Sequence, residues 1–275
     1  MEFNTWREWL ASLSPEEKKK VQALLLVSHS TLSFWIHTDR RPRPKHFYGL
    51  INYNPDVREL IEQEFPDAFE SPDDEGIELH IAIDTYEDIF GTFAYTADAV
   101  NGQTMALKVF QYMSNHLDPG ETGLLILPSL CLPDDEIITH LHTSDGYSVG
   151  ILKRPSENAY FEIGRDSLAG TAVHRRRTVL YPQQGFLDHR VFAGQHEKIG
   201  SAGAFPLWRR GFLAGALLVA SVHSSFFTES RVKLCGRYSD LYALSLHDTQ
   251  FYDPRCINLC VMREGLYAPE PNGAN

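Results

Sequence analysis

The chain has little cysteine, no long apolar run and no excess of positive charge, and each shortage excludes something. Four cysteines in 275 residues, at positions 131, 235, 256 and 260, are too few for a disulfide framework. Three of them lie in or beside apolar segments, where cysteine behaves as a small hydrophobe, so a reducing compartment is expected. The longest apolar stretch, 212–222, contains Gly215 and Ser221 and falls well short of the ~20 residues that span a bilayer. No basic start leads into an apolar N-terminal run. The expected location is therefore the cytoplasm, with no membrane partner. A formal net charge of −11 argues against general affinity for nucleic acid, because nonspecific binding needs cations that displace counterions from phosphates. Any contact with DNA must be local. Internal repeats and low-complexity tracts are also missing.

The charge that is present is unevenly spread. The first 65 residues carry as many cations as carboxylates, whereas from Glu59 to Leu107 there is no Lys or Arg while acidic residues accumulate. The polar, acidic stretch ESPDDEG (70–76), punctuated by Pro72 and Gly76, marks a boundary. The reading is α + β in two domains: a helical domain over 1–69, an acidic linker over 70–84, a mixed domain over 85–250 and a tail over 251–275.

Before the boundary the pattern is a string of short helices. Trp6, Trp9, Leu10 and Leu13 recur at helical spacing. Ser14, Pro15 and Glu17 form a capping box with proline at the first helical position, which predicts a second helix through Val21, Leu24 and Leu25. Ser28 caps a third, with Thr31, Leu32, Trp35 and Ile36 facing inward and Pro42 and Pro44 beyond its end. Two more follow, near 45–51 and 56–65. After the boundary an amphipathic segment over 85–117 (Ile89, Phe93, Val100, Leu107, Phe110, Met113) is interrupted by Gly91 and Gly102. Strand-like runs at 122–127, 136–143, 159–163, 178–181, 203–208 and 211–222 precede a closing helix over 228–247 capped by Thr228. Helices enclosing an antiparallel sheet make this domain α/β/α.

The run VSHSTLSFWIHTDRRPRP (27–44) resembles the helix-turn-helix of the phage-repressor (Cro/cI-like) family, over about residues 4–65. The resemblance implies Ser28 as cap of a recognition helix, His29, Ser30 and Ser33 facing a DNA groove, and Leu32 with Trp35 anchoring the helix to the core. Arg40, Arg41, Arg43 and Lys45 would then hold phosphates of double-stranded DNA. Three positions depart from the family pattern: Leu26 stands where the turn usually has glycine, Gln22 where a small residue lets the helices cross, and Phe34 where a basic residue precedes the tryptophan. The alternative is a degenerate helical domain that binds protein instead.

The blocks 162–183 (EIGRDSLAGTAVHRRRTVLYPQ) and 201–234 resemble, in that order, the glycine-led entry helix and the two central strands of a GAF domain, a small-molecule sensor fold, across roughly residues 86–248. The resemblance implies a ligand site built from Phe161, Ile163, Ser167, Leu168, Gly170, His174 and Tyr181, with Phe205 and Trp208 on the sheet. Leu168, Phe205 and Trp208 also read as plain core, and many domains of this type serve as dimer modules instead. No cofactor is identified.

Other constellations carry less. GYSVG (146–150) matches the nucleophile-elbow pattern, but that motif needs a helix directly after the serine, and ILKRPSEN is a poor one. His140 and His142 alternate on a strand, yet no spaced carboxylate or cysteine completes a metal site. Arg165, Arg175, Arg176 and Arg177 read either as phosphate ligands or as cations complementing a helix end. The resulting expectation is a non-enzymatic, homodimeric transcription regulator pairing a DNA reader with a ligand-sensing domain. The alternatives are a GAF signalling or scaffold protein that does not bind DNA and, third, a GAF-fold enzyme such as a sulfoxide reductase, which would need a reactive cysteine.

Overall fold

A computed structural model describes residues 3–38, 40–65, 80–95, 98–133, 137–143, 145–153, 162–181 and 198–262. The first five helices are α1 (Trp6–Ser12), α2 (Pro15–Leu25), α3 (His29–His37), α4 (Pro44–Tyr53) and α5 (Val57–Glu64). Each of the first three starts on a hydroxyl cap, whose oxygen satisfies a backbone N–H that the helix itself cannot pair. Thr5 accepts from the Glu8 N–H, Ser14 from Glu17 and Ser28 from Thr31. At Ser14 the bond is reciprocated by the Glu17 carboxylate, completing the capping box.

The turn between α2 and α3 is closed by Leu26 in the left-handed conformation, φ 53° and ψ 41°. The N–H of Val27 returns to the Gln22 carbonyl at 3.1 Å, the wide bond that ends helices in a Schellman-type cap. Leucine therefore adopts the backbone that glycine usually supplies. The five helices bury Trp6, Trp9, Leu10, Val21, Leu32, Trp35, Phe47, Leu50 and Ile61 in one core. Arg7 reaches over from α1 to the end of α3, its Nε donating to the carbonyls of Trp35 at 3.1 Å and Thr38 at 3.2 Å. A cation on the last carbonyls of a helix satisfies them and complements its dipole.

The segment over 85–117 is two helices, α6 (Ile83–Tyr95) and α7 (Asp98–Leu117). Gly102 is explained by packing: a Cβ there would lie 2.6 Å from the Ser245 carbonyl oxygen, so its absence lets α7 pass close to the helix that ends at Ser245. Of the apolar positions read there, Ile89, Phe110 and Met113 are buried and Leu107 is 48% exposed. The strands are β1 (Gly123–Cys131), β2 (Leu141–Thr143), β3 (Tyr147–Gly150), β4 (Glu162–Ile163), β5 (Val179–Tyr181), β6 (Ser201–Arg209) and β7 (Phe212–Ser221). They form one antiparallel sheet in the order β4-β2-β1-β7-β6-β5, with β3 also paired to β1. GYSVG is thus a strand rather than a nucleophile turn. Helix α8 (Leu168–Arg175) enters between β4 and β5, and α9 (Glu229–Ser245), capped by Thr228, closes the unit.

Both sheet faces are covered. On one, Ile89, Met105, Phe110 and Met113 of α6 and α7 and Leu234, Tyr238 and Leu241 of α9 pack on Leu124, Ile126, Phe205, Leu207 and Val219. On the other, Leu168, Ala169, Ala172 and Val173 of α8 pack on Leu125, Leu127, Ala202, Ala204 and Leu218. The near-continuous burial of β1 and β7 follows from having helices on both sides. The chain is a mixed protein of helices and antiparallel sheet.

The helical unit touches the sheet unit through a polar chain. The Asp118 carboxylate accepts from the N–H groups of Thr122 (3.0 Å) and Gly123 (2.9 Å) and from the Thr122 hydroxyl (2.8 Å). With its proton committed there, Thr122 accepts from His223 Nε2 at 3.1 Å. Tyr48 of α4 stands 3.0 Å from His223 Nδ1. Burial pushes the Asp118 carboxyl above its ordinary range against these donors, and pushes the Tyr48 phenol upward as well. Lys45 pairs with Glu121 nearby.

Candidate functional site

The residues read as DNA-facing gather on one side of the helical unit. His29 and Ser30 are exposed on the first turn of α3, and Ser33 is half-buried one turn on. Ser28 is spent on structure: its oxygen caps Thr31 and lies 2.7 Å from the Ser30 hydroxyl and 2.9 Å from that of Thr31. Leu32 and Trp35 face the core, at 2% and 4% exposure, as the resemblance implies.

Beside this face the loop 40–43 folds back and encloses a depression of about 460 Å³, lined by Ser30, Thr31, Phe34, Trp35, Arg40, Arg41, Pro42, Arg43 and His46. Three guanidinium-bearing residues border it and, among the described residues, no carboxylate does. Arg40 lies over the Phe34 ring at 5.8 Å and Arg41 over Phe65 at 5.2 Å, positions that brace each cation on an aromatic face. His46 packs on Trp35, centroids 4.8 Å apart. Burial, with Lys45 and Arg43 adding to it, holds the His46 imidazole down at about 4, so it is neutral at pH 7. Lys45 faces Glu121 rather than the depression.

The positions implied by the GAF resemblance are not all brought together. Ile163, Leu168 and Gly170 are buried on the α8 face of the sheet. Ser167 caps α8, accepting from the Gly170 N–H at 2.9 Å and donating to the Gly164 carbonyl at 2.8 Å. A Cβ on Gly170 would lie 1.8 Å from that carbonyl oxygen, so glycine is required by close approach. Tyr181 and Trp208 are partly buried against the same face. His174 is exposed at the end of α8, with its imidazole held somewhat low by partial burial and by Arg165, Arg175 and Arg176. Phe205 points to the opposite face, among the side chains of α7 and α9; a strand alternates faces, and positions 205 and 208 differ by an odd number. Phe161 lies outside the described residues.

Among the described residues no group of three or more His, Cys, Asp or Glu is placed to hold a metal ion, and His140 sits 3.7 Å from Glu162. No described helix is long and apolar enough to cross a membrane. Sequence reasoning missed Arg7, which holds the end of α3. Its only sequence signal is a lone cation on an otherwise apolar helix face.

No family model matches the sequence, and no curated protein does. Solved structures similar to it include the GAF domain of a phosphoenolpyruvate-protein phosphotransferase from Coxiella burnetii. The two are 13% identical, with a TM-score of 0.44, over 59% of this chain and 90% of that one. A putative GAF sensor protein from Burkholderia vietnamiensis is 16% identical, TM-score 0.39, over 58% and 88%. Free methionine-R-sulfoxide reductase from Neisseria meningitidis, solved with its substrate, is 12% identical, TM-score 0.40, over 62% and 94%.

Proposed function

We propose that this protein is a DNA-binding transcription regulator in which a helix-turn-helix reader precedes a GAF-like sensor and dimer module. The observation that carries the reading is the depression beside α3. In a chain of net charge −11, Arg40, Arg41 and Arg43 converge on the exposed side of a capped helix with no carboxylate among the described lining residues. Guanidinium groups around a helix that presents His29 and Ser30 divide the labour as DNA readers do, with phosphate contacts positioning the protein and base contacts specifying the site. Dimerisation through α6, α7 and α9 would place two readers ~34 Å apart, one DNA turn. The function is regulatory, cytoplasmic and needs no chemistry of its own.

The test is selection from fragmented genomic DNA followed by gel-shift titration across salt. Arg41→Ala and Arg43→Ala are expected to weaken binding evenly across sequences, each lowering the salt slope by about 1, while His29→Ala relaxes base preference at one position. Absence of salt-dependent binding to any fragment overturns the reading. A second reading, a reader-like unit that docks a protein, is favoured by the apolar residues around α3: Phe34 is 44% exposed, Leu24 45% and Leu26 92%. It predicts that no DNA fragment is bound and that Phe34→Ser abolishes a protein interaction.

A further inference from the structure

Between the two units lies a second cavity of about 510 Å³, separate from the reader face and from the α8 side of the sheet. The helical unit contributes Tyr48 and Ile51 of α4 and Pro55 and Arg58 ahead of and on α5. The sheet unit contributes Ile151 after β3, the stretch 198–200 before β6, and 222–224 after β7. The lining is divided. Ile51, Ile151, Ile199 and Val222 give it apolar walls, and Tyr48, His223 and Ser224 a polar floor.

Its charge is one-sided. Lys198 and Arg58 line the cavity and, among the described residues, no Asp or Glu does, although the chain carries 36 acidic residues against 25 basic ones. Arg58 is steadied on α5 by Glu62 at 2.8 Å. Lys198 is half-buried and has no carboxylate partner among the described residues. An anion that meets Lys198 and Arg58 together gains charge-assisted contacts to both. Apolar walls with a few convergent polar groups are the usual form of a small-molecule site.

We propose that this cavity binds a small organic anion, a carboxylate on an apolar body, with Lys198 and Arg58 on the carboxylate and the isoleucine walls on the body. Its occupant touches both units at once. The Tyr48–His223 contact forms the floor, so occupancy favours the docked arrangement over a separated one by the ligand's differential affinity for the two. The binding claim stands without the DNA reading; only its regulatory consequence rests on that reading.

The test uses the full chain and calorimetric titration with octanoate and benzoate, set beside the uncharged octanamide and benzamide. The carboxylates are expected to bind, with the amides at least about tenfold weaker, because a charge-assisted contact is worth roughly 1.5–3 kcal/mol. Lys198→Gln is expected to cost the acids about tenfold and the amides nothing. Ile151→Trp, which fills the cavity from the wall, removes binding of both. Circular dichroism and melting of each variant check that it is folded. The proposal is overturned if neither acid binds, if the amides bind as well as the acids, or if folded Lys198→Gln and Ile151→Trp bind octanoate like wild type. Gel shifts of the ligand-free chain test the DNA reading by itself. Carboxylate binding without a shift upholds the cavity and sinks the reader, and a shift without carboxylate binding does the reverse.

Discussion

Leu26 is the residue where the turn between α2 and α3 is strained, and replacing it with glycine should stabilise the helical unit. A leucine held at φ 53° and ψ 41° pays roughly 1–2 kcal/mol because its Cβ crowds the following carbonyl. The side chain is 92% exposed, so Leu26→Gly forfeits almost no buried area. Against the relief stands the greater freedom of glycine in the unfolded chain, about 0.5–1 kcal/mol. The net is a gain of about 0.5–1 kcal/mol, which in a domain this small raises the melting midpoint by roughly 3–6 °C. Tryptophan fluorescence is the natural assay. Trp6, Trp9 and Trp35 sit in the helical core and Trp208 alone in the sheet unit, so the signal reports mainly the unit that changes. Leu26→Ala removes the same exposed surface but keeps a Cβ, and should leave the midpoint near wild type. The reasoning fails if Leu26→Ala stabilises as much as Leu26→Gly, or if the glycine variant melts lower.

Three further outcomes are expected. Gly170→Ala should destabilise the sheet unit by about 3 kcal/mol, seen as a lower denaturation midpoint, because the new methyl meets the Gly164 carbonyl rather than a movable side chain; a neutral effect would mean that the α8 entry is looser than its geometry. The His46 imidazole should titrate near 4 by NMR. Since its folded value lies below the ordinary 6.5, the unfolded chain takes up a proton first. Stability is unaffected above pH 6.5, falls as pH drops from 6.5 toward 4, and levels off below; His46→Gln should flatten that part of the profile. A thiol reagent should label Cys256 and Cys260 in the native protein and reach Cys131 and Cys235 only on unfolding, because the latter pair is buried, with desolvation pushing the Cys131 thiol up to about 12 and Cys235 upward as well. Rapid native labelling of Cys131 or Cys235 would mean that the core around them opens.

Much of the fold was legible because its signals are local. Ser14 with Glu17, Ser28 with Thr31 and Thr228 with Arg231 each find their partner three residues on, so a cap can be read from adjacent letters. The strands at 203–208 and 211–222 could be read from composition, since faces covered on both sides demand continuous apolar runs. The candidate ligand set was less legible. Grouping Phe205 with Trp208 ignored the period of two that sends them to opposite faces, a signal that was present. Ser167 looked like a polar ligand because a serine before a helix satisfies either role, and only the 2.9 Å bond from Gly170 assigns it to the cap. Leu26 was recognised as a departure from the family's glycine, yet a residue's identity does not say whether the backbone yields or the side chain endures the strain.

What no local signal carries is the contact between the units. Lys45 and Glu121 are 76 residues apart, and Tyr48 and His223 are 175 apart; no spacing in the sequence links either pair. Their pairing changes the meaning of the basic loop. Of the four cations read as phosphate ligands, Arg40, Arg41 and Arg43 border the depression, while Lys45 is drawn to the sheet unit's acidic side. On the proposed DNA-binding reading, the docked arrangement therefore holds one cation away from the reader face. A ligand that holds the units together and a DNA backbone that attracts Lys45 pull on the same ion pair in opposite directions. If both proposals hold, coupling between the two sites is reciprocal, and an anion in the interdomain cavity lowers DNA affinity by the same factor by which DNA lowers the anion's.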